Sequence, residues 1–142
     1  MVREIVKDSI VLSQKSKTIK ADSRQVLQII QDLIETALEH DTCVGLAAIQ
    51  IGEPYRVIIA KTKVKGEEFF MPFINPVITA TFGEKYEAEE GCLSLDGKRK
   101  VMRYEGIEVM HQRGKKFIKQ KFSGYLAEIL QHEIDHTNGK LI

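Results

Sequence analysis

The segment QHEIDH (131–136) constrains the fold more than any other part of the sequence, because its residue pattern has chemical meaning only on a helix. Ser123 can cap the start of such a helix, and Gly139 can follow its end. The sequence therefore predicts a helix over residues 124–137, which the rest of the fold must enclose.

On that helix, His132 and His136 are four residues apart and project from one face, so both imidazoles can bind one metal ion. Glu133 lies beside them and is placed to accept a proton from a metal-bound water rather than to bind the metal. The same stripe continues backwards through Ile129 and Tyr125. This pattern predicts that the histidines face the apolar interior, in a buried metal site.

A catalytic zinc-type site usually has three protein ligands, so one more ligand is needed. Residues 137–142 supply no credible ligand, and Ile142 stands where the metzincin pattern requires histidine. We therefore expect the third ligand upstream of the helix. Cys92 is favoured, because Gly91 lets the backbone approach closely and a metal would deprotonate the thiol. The candidates are Cys92, Cys43, His40, His111 or a carboxylate.

The remainder of the chain predicts one amphipathic helix followed by antiparallel strands. Asp22 and Ser23 can cap a helix over about 24–39, in which apolar residues recur at helical spacing. Turn signals stand at Asn75-Pro76 and at Arg113-Gly114. The order of helix, strands and helix predicts an α+β fold. The predicted strands are 55–60, 69–74, 77–81, 107–111 and 117–122.

Length and composition indicate one soluble domain over residues 1–142, since domains typically hold about 100 to 200 residues. Lys plus Arg number 21 and Asp plus Glu 20, a balance that argues against a protein built to grip nucleic acid. No apolar run reaches the length of a signal-peptide core or a membrane span. We therefore expect a cytoplasmic protein in which Cys43 and Cys92 form no disulfide.

Three segments, CVGLAAIQ (43–50), EGCLS (90–94) and QHEIDH (131–136), resemble the signature motifs of the peptide deformylases in order and spacing. The resemblance spans most of the chain. It implies antiparallel strands around the metal-bearing helix, and removal of the formyl group from N-formylmethionyl nascent peptides. It also implies one divalent metal ion held by Cys92, His132 and His136. Ferrous iron is the usual ion in the family, with zinc, nickel or cobalt as substitutes.

The resemblance further implies a role for each group around the metal. Glu133 would accept a proton from the attacking metal-bound water and pass it to the leaving amine. The Gln50 amide and the Leu93 backbone N–H would donate to the formyl oxygen as charge develops there. Glu90 and Arg103 would form a supporting ion pair.

Substrate recognition is implied in the same way. Main-chain groups at the positions of Val44, Gly45 and Gly91 would pair with the peptide as a strand does. Val44, Tyr125 and Ile129 would line an apolar pocket for the methionine side chain. Arg99 matches an arginine on the substrate side of the family's site.

The sequence also departs from the family, which identifies it as a short, divergent member. Cys43 replaces the usual glycine, Ile49 replaces the usual proline, and residues 95–97 replace a common hydrophobic-proline pair. Cys43 could act as an extra ligand or an oxidation-sensitive thiol, but a packing role is favoured. Two other functions remain open: a non-catalytic relative that keeps the metal site, and a metalloamidase acting on another acylated substrate.

One feature of the sequence bears on partners other than the peptide. Four lysines crowd the predicted hairpin and could contact ribosomal RNA transiently, although a solvated strand face is favoured. We expect a monomer with no membrane contact and no specific nucleic-acid partner. These lysines are Lys115, Lys116, Lys119 and Lys121.

Overall fold

The computed structural model describes residues 1–142 and confirms the α+β fold. None of its helices has the length and apolar character that crossing a bilayer requires. A 3-10 helix over Ala48–Ile51 follows the first strand. The helices are α1 (Ser9–Leu12), α2 (Arg24–Leu38) and α3 (Gly124–Thr137), and the strands are β1 (Gly45–Ala47), β2 (Val57–Val64), β3 (Glu67–Cys92), β4 (Leu95–Arg113) and β5 (Lys116–Ser123).

The five strands form one sheet in the order of the chain, and each pairs antiparallel with the next. The predicted hairpin at Arg113-Gly114 joins β4 to β5. The prediction of two strands around Asn75-Pro76 is wrong, because β3 runs through this dipeptide as one strand. Asn75 has a positive φ of 51°, and the pairing register shifts between Ile74 and Val77. A bulge bends the strand here without ending it.

The side chain of Asn75 explains why the bulge is tolerated. Its carbonyl oxygen accepts a hydrogen bond from the backbone N–H of Ile19 at 3.0 Å, and its amide donates to the Ile19 carbonyl at 2.8 Å. The side chain therefore pairs with a neighbouring segment much as a strand would. The local signal for a turn was real, but these contacts allow the strand to continue.

The core lies on both faces of β2. Val57 and Ile59 point toward α2, whereas Ile58 and Ala60 point toward α3. All four are fully buried, which explains why this strand reads as a continuous apolar run and not as an alternating one. Helix α3, which carries the predicted metal ligands, therefore packs on one face of β2, and α2 packs on the other.

Helix α2 confirms the predicted amphipathic helix. The Ser23 hydroxyl oxygen accepts a hydrogen bond from the Val26 backbone N–H at 3.3 Å, as an N-cap should. Val26, Ile29 and Leu33 are buried at helical spacing. Leu38, at the end of the expected apolar stripe, is instead exposed, because the helix ends there.

Helix α3 begins and ends where the sequence predicted, with two differences. Ser123 occupies the N-cap position, but its side chain makes no capping hydrogen bond. Tyr125, expected on the buried stripe, is 62% exposed, since it lies in the first turn of the helix. His132 and His136, one and two turns beyond Ile129, are buried as expected.

Gly139, just after α3, offers a test of this packing. Its φ is +78°, and a Cβ added there would lie 2.4 Å from the Ser13 carbonyl oxygen. We expect Gly139→Ala to lower the free energy of unfolding by about 2–4 kcal/mol, measured by urea denaturation. Gly66→Ala is the matched control: its φ is +84°, but nothing lies within 4 Å. Equal losses in the two variants would contradict the proposed close contact.

Candidate metal centre

Three potential metal-binding atoms converge where the end of β3 meets α3. The Nε2 atoms of His132 and His136 are 3.2 Å apart, and the Cys92 Sγ is 3.4 Å from the His136 Nε2. Bonds of about 2.0–2.1 Å to nitrogen and about 2.3 Å to sulfur place tetrahedral ligands about 3.3 Å (N to N) and 3.6 Å (N to S) apart. The spacing of the three donors therefore fits a single tetrahedral ion, with the fourth position free.

The other histidines and the other cysteine considered as the third ligand are outside this donor group, although Cys43 lines the same cavity. His111 is buried against the Phe73 ring, and its Nε2 is 2.7 Å from the Gln120 side-chain oxygen. The Cys43 thiol donates to the Gly45 carbonyl oxygen, and burial raises its pKa to about 11. A thiol that stays protonated is a poor ligand and a poor nucleophile. Of the candidate histidines and cysteines upstream of α3, only Cys92 is grouped with His132 and His136.

A buried ion cluster orients His132 from behind. The Glu90 carboxylate lies 2.8 Å from the His132 Nδ1, which leaves Nε2 directed at the other two donors. Arg103 donates two hydrogen bonds to Glu90, at 2.6 and 2.8 Å, and a third to Asp135 at 2.6 Å. The Glu90–Arg103 pair expected from the resemblance is therefore present. Burial acts to raise the pKa of Glu90, but hydrogen bonds from Arg103 and His132 outweigh that effect and lower the pKa to about 2.

The two histidines differ in their affinity for protons. Burial, together with the neighbouring His132, lowers the pKa of His136 to about 3 and keeps that ring neutral. Burial also acts to lower the pKa of His132, but contacts with Cys92 and Glu90 outweigh it and raise the pKa to about 10. These contacts create a position that favours a positive charge. A metal ion bound there would displace that proton.

Glu133 is buried beside the three donors, and its Oε1 has no hydrogen-bond partner. Burial raises its pKa to about 7, which suits a group that must both accept and release a proton near neutral pH. A Cβ on Gly45 would lie 2.7 Å from the Glu133 Oε2 and 2.8 Å from the Ile129 Cγ2. Only glycine at position 45 allows β1 to approach α3 this closely.

Gln50 and Leu93 lie beside Cys92, and both line the same cavity as His132. The Gln50 side-chain oxygen accepts from the Ala47 backbone N–H at 3.0 Å, so the direction of its amide is fixed. The Gln50 amide nitrogen lies 3.1 Å from the Ser94 Oγ and 3.3 Å from the Cys92 Sγ. The Leu93 backbone N–H has no hydrogen-bond partner within the protein. Two donors are therefore available for an oxygen atom beside the donor cluster.

A cavity of about 520 Å³ opens beside the donor cluster. Strand β1 is one of the two edge strands of the sheet, so no other strand pairs with one side of its backbone. Arg99 is exposed and does not line the cavity, whereas the neighbouring Lys98 does. The predicted substrate residues Val44, Gly45, Gly91, Tyr125 and Ile129 all line the cavity, together with Gln50, Leu93 and Glu133.

Glu128 and Tyr86 were not predicted from the sequence, and of these two only Glu128 lines the cavity. Glu128 lines the wall, and its carboxylate accepts a hydrogen bond from the Tyr86 hydroxyl at 3.2 Å. Its position four residues before His132 on a predicted helix was the available signal. Tyr86 gave no such signal, because its approach depends on the pairing of β3 with β4 and on the docking of α3.

Comparison with known proteins identifies many relatives. The family model for polypeptide deformylase matches residues 2–142. A peptide deformylase of Clostridium beijerinckii is 42% identical over 143 residues, covering 100% of both chains. A class I type b peptide deformylase from Acinetobacter baumannii, with Met-Ala-Ser bound, has a TM-score of 0.87 and 29% identity, covering 99% of this chain and 97% of that one.

A second solved structure agrees. A probable peptide deformylase from Synechococcus phage S-SSM7 has a TM-score of 0.86 and 33% identity, covering 98% of this chain and 95% of that one. The sequence match and the shared fold both extend over nearly the whole chain, which includes the Cys/His/His donor group. The chain therefore belongs to the peptide deformylase family.

Proposed function

We propose that this protein is a metal-dependent hydrolase that removes the formyl group from N-formylmethionyl peptides. The observation that carries the proposal is the convergence of three donor atoms beside a buried carboxylate with an unpartnered oxygen, at the wall of an open cavity. A structural metal site needs neither that carboxylate nor the donors at Gln50 and Leu93. These groups argue against a non-catalytic relative.

Cys92, His132 and His136 would hold one divalent ion, and the family favours ferrous iron, with zinc, nickel or cobalt as substitutes. The donor set suits this choice, because one thiolate and two imidazoles bind soft-to-borderline ions. When bound, the ion supplies a Lewis acid that activates water and polarises the formyl oxygen. Glu90 fixes the tautomer of His132 for this task.

Glu133 would act as the general base and then as the general acid. Its unpartnered Oε1 is free to accept the proton of the attacking water. The same carboxyl group would return that proton to the amine nitrogen as the C–N bond of the formamide breaks. The close approach of Gly45 holds the carboxylate in position throughout.

The Leu93 N–H and the Gln50 amide would stabilise the negative charge that develops on the formyl oxygen. The Leu93 N–H would not have to break an existing hydrogen bond to do so. The Gln50 amide would exchange its contact with the Cys92 sulfur, a weak acceptor, for the oxygen. Because the Ala47 N–H orients the Gln50 side chain in advance, little reorganisation is needed.

The peptide would bind along the free edge of β1. Backbone groups of Val44, Gly45 and Gly91 would pair with the substrate main chain, which leaves the sequence beyond the first residue loosely specified. Val44, Tyr125 and Ile129 would surround the methionine side chain. The substrate role of Arg99 remains a prediction, because its side chain would have to move to reach the cavity.

The cellular setting is also a proposal. A cytoplasmic monomer acting on nascent peptides would fit the near-neutral charge and the family's substrate. Transient ribosome contact would use the lysines of the β4–β5 hairpin, where Lys115 lies on the turn and Lys116, Lys119 and Lys121 follow on β5.

Formate release from a formyl-Met peptide by anaerobically prepared, iron-loaded protein tests the reaction. We expect Glu133→Gln to lower kcat by about 100- to 10,000-fold, because the variant keeps the shape of the side chain but cannot accept the proton. Metal content and thermal melting should stay unchanged in this variant. Formate release no greater than that of the variant would refute the deformylase proposal.

Metal content tests the ligand set separately. We expect Cys92→Ala to weaken metal affinity by more than about 100-fold. Loss of a group that only supports a ligand costs up to about 100-fold, and loss of a ligand itself should cost more. Elemental analysis after dialysis against a range of free metal concentrations measures the change. Cys43→Ala is the matched control, because its buried thiol lies outside the donor group and should leave affinity intact. Undiminished binding by Cys92→Ala would exclude Cys92 as a ligand.

Gly45→Ala tests the position of the base. The new Cβ must displace the Glu133 carboxylate or push β1 away from α3, so we expect kcat to fall about 100-fold. Gly106→Ala, in β4, provides a control for the general cost of adding a methyl group, because its φ is not positive and its nearest contacts would be at 3.5 Å. A Gly45→Ala enzyme with normal kcat would show that the contact does not position Glu133.

A further inference from the structure

Glu128 places a carboxylate in the wall of the cavity, on the same helix as two proposed ligands. It is four residues before His132, which corresponds to about 6 Å along the helix axis. It lies next to Ile129 and one turn after Tyr125, two of the three residues proposed to surround the first side chain of the substrate. The expected apolar pocket therefore has one acidic wall.

This carboxylate has no positive partner in the protein. Its hydrogen bond comes from the neutral Tyr86 hydroxyl, and it takes part in no ion pair. The nearby Arg103 is already committed to Glu90 and Asp135. Lys98 borders the same cavity but is exposed and does not pair with Glu128. Burial and the neighbouring Glu90 raise the pKa of Glu128, so a positive charge beside this half-buried acid would favour its ionised form. The protein supplies no such partner, and a cation from outside would supply it.

The position of Glu128 indicates which part of a substrate would meet it. The side chain of the formylated residue branches from the carbon next to the formamide nitrogen, so it is the side chain nearest the metal donors. Later residues of the peptide would extend along β1, farther from the formamide group. A linear side chain about four atoms long, like that of methionine, spans the distance of about 6 Å between the helix turns.

We infer that Glu128 is a specificity-determining residue that favours N-formyl peptides whose first side chain is linear and ends in a cation. The inference rests on the proposed function and names a second class of substrate for the same site. An ammonium group at the end of such a chain would receive the charge-assisted hydrogen bond that Glu128 lacks. An uncharged chain of equal length would make only the apolar contacts with Tyr125 and Ile129.

Two peptides of matched shape test the inference: formyl-norleucyl-Ala-Ser and formyl-ornithyl-Ala-Ser. Their first side chains have the same number of heavy atoms and differ in a terminal methyl or ammonium group. We expect the ratio of kcat/KM, ornithine over norleucine, to fall about tenfold in Glu128→Gln. This variant can keep the Tyr86 hydrogen bond, and its activity on the norleucine peptide reports whether it folds.

Glu87→Gln is the matched control, since it removes the same charge from β3 at an exposed position outside the cavity. The ratio should not change in this variant. An unchanged ratio in Glu128→Gln, or an equal fall in Glu87→Gln, would overturn the inference.

Binding separates this inference from the proposed function. The dissociation constants of the two peptides are measured by calorimetry with Glu133→Gln protein, with and without Glu128→Gln. We expect the second substitution to weaken binding of the ornithine peptide relative to the norleucine peptide by about tenfold. If binding changes in this way but the unmutated enzyme shows no turnover, the deformylase proposal is refuted and the acidic pocket is supported. No change in relative binding would refute the acidic pocket, whatever the turnover.

Discussion

The buried guanidinium of Arg103 is the interaction on which the geometry of the site depends. It is 3% exposed and joins β4, where it lies, to Glu90 on β3 and to Asp135 on α3. Removing such a charge from water is costly unless hydrogen bonds surround it, so the three elements must meet at this point. Glu90 is two residues before Cys92, and Asp135 directly precedes His136. The ion cluster thus sets the distance between the thiol and the histidines.

A second constraint acts on the other side of α3. The contact of Gly45 with Glu133 and Ile129 brings an edge strand against the helix with no room for a side chain. This close packing leaves the Glu133 Oε1 without a partner and, by excluding water, raises its pKa. The inner part of the site around Glu133 is therefore tightly packed, whereas the opening of the cavity is lined by charged groups. Such a division suits a reaction centre that must be rigid beside a peptide that varies.

The sequence predicts those parts of the fold whose signal is local. The helix carrying His132 and His136 has a periodic pattern and a glycine at its end, and its limits were predicted correctly. The break at Asn75 was predicted wrongly, because contacts with Ile19, 56 residues away, decide that the strand continues. The partners of Arg103 and the placement of Tyr86 beside α3 likewise depend on strand register and helix docking. No pattern within a single segment encodes these distances.

The substitutions that separate this chain from the usual family pattern differ in how far their effects extend through the structure. Ile49 is buried in the core layer beside α3, and Cys43 is a neutral buried thiol packed toward α2, so both changes are accommodated by packing. The residues that must keep their identity are those with chemistry or a steric limit, such as Gln50 and Gly45. A change in the first motif therefore need not change the reaction. The mouth of the cavity is different, because a charge there is not absorbed by packing and acts directly on whatever peptide enters.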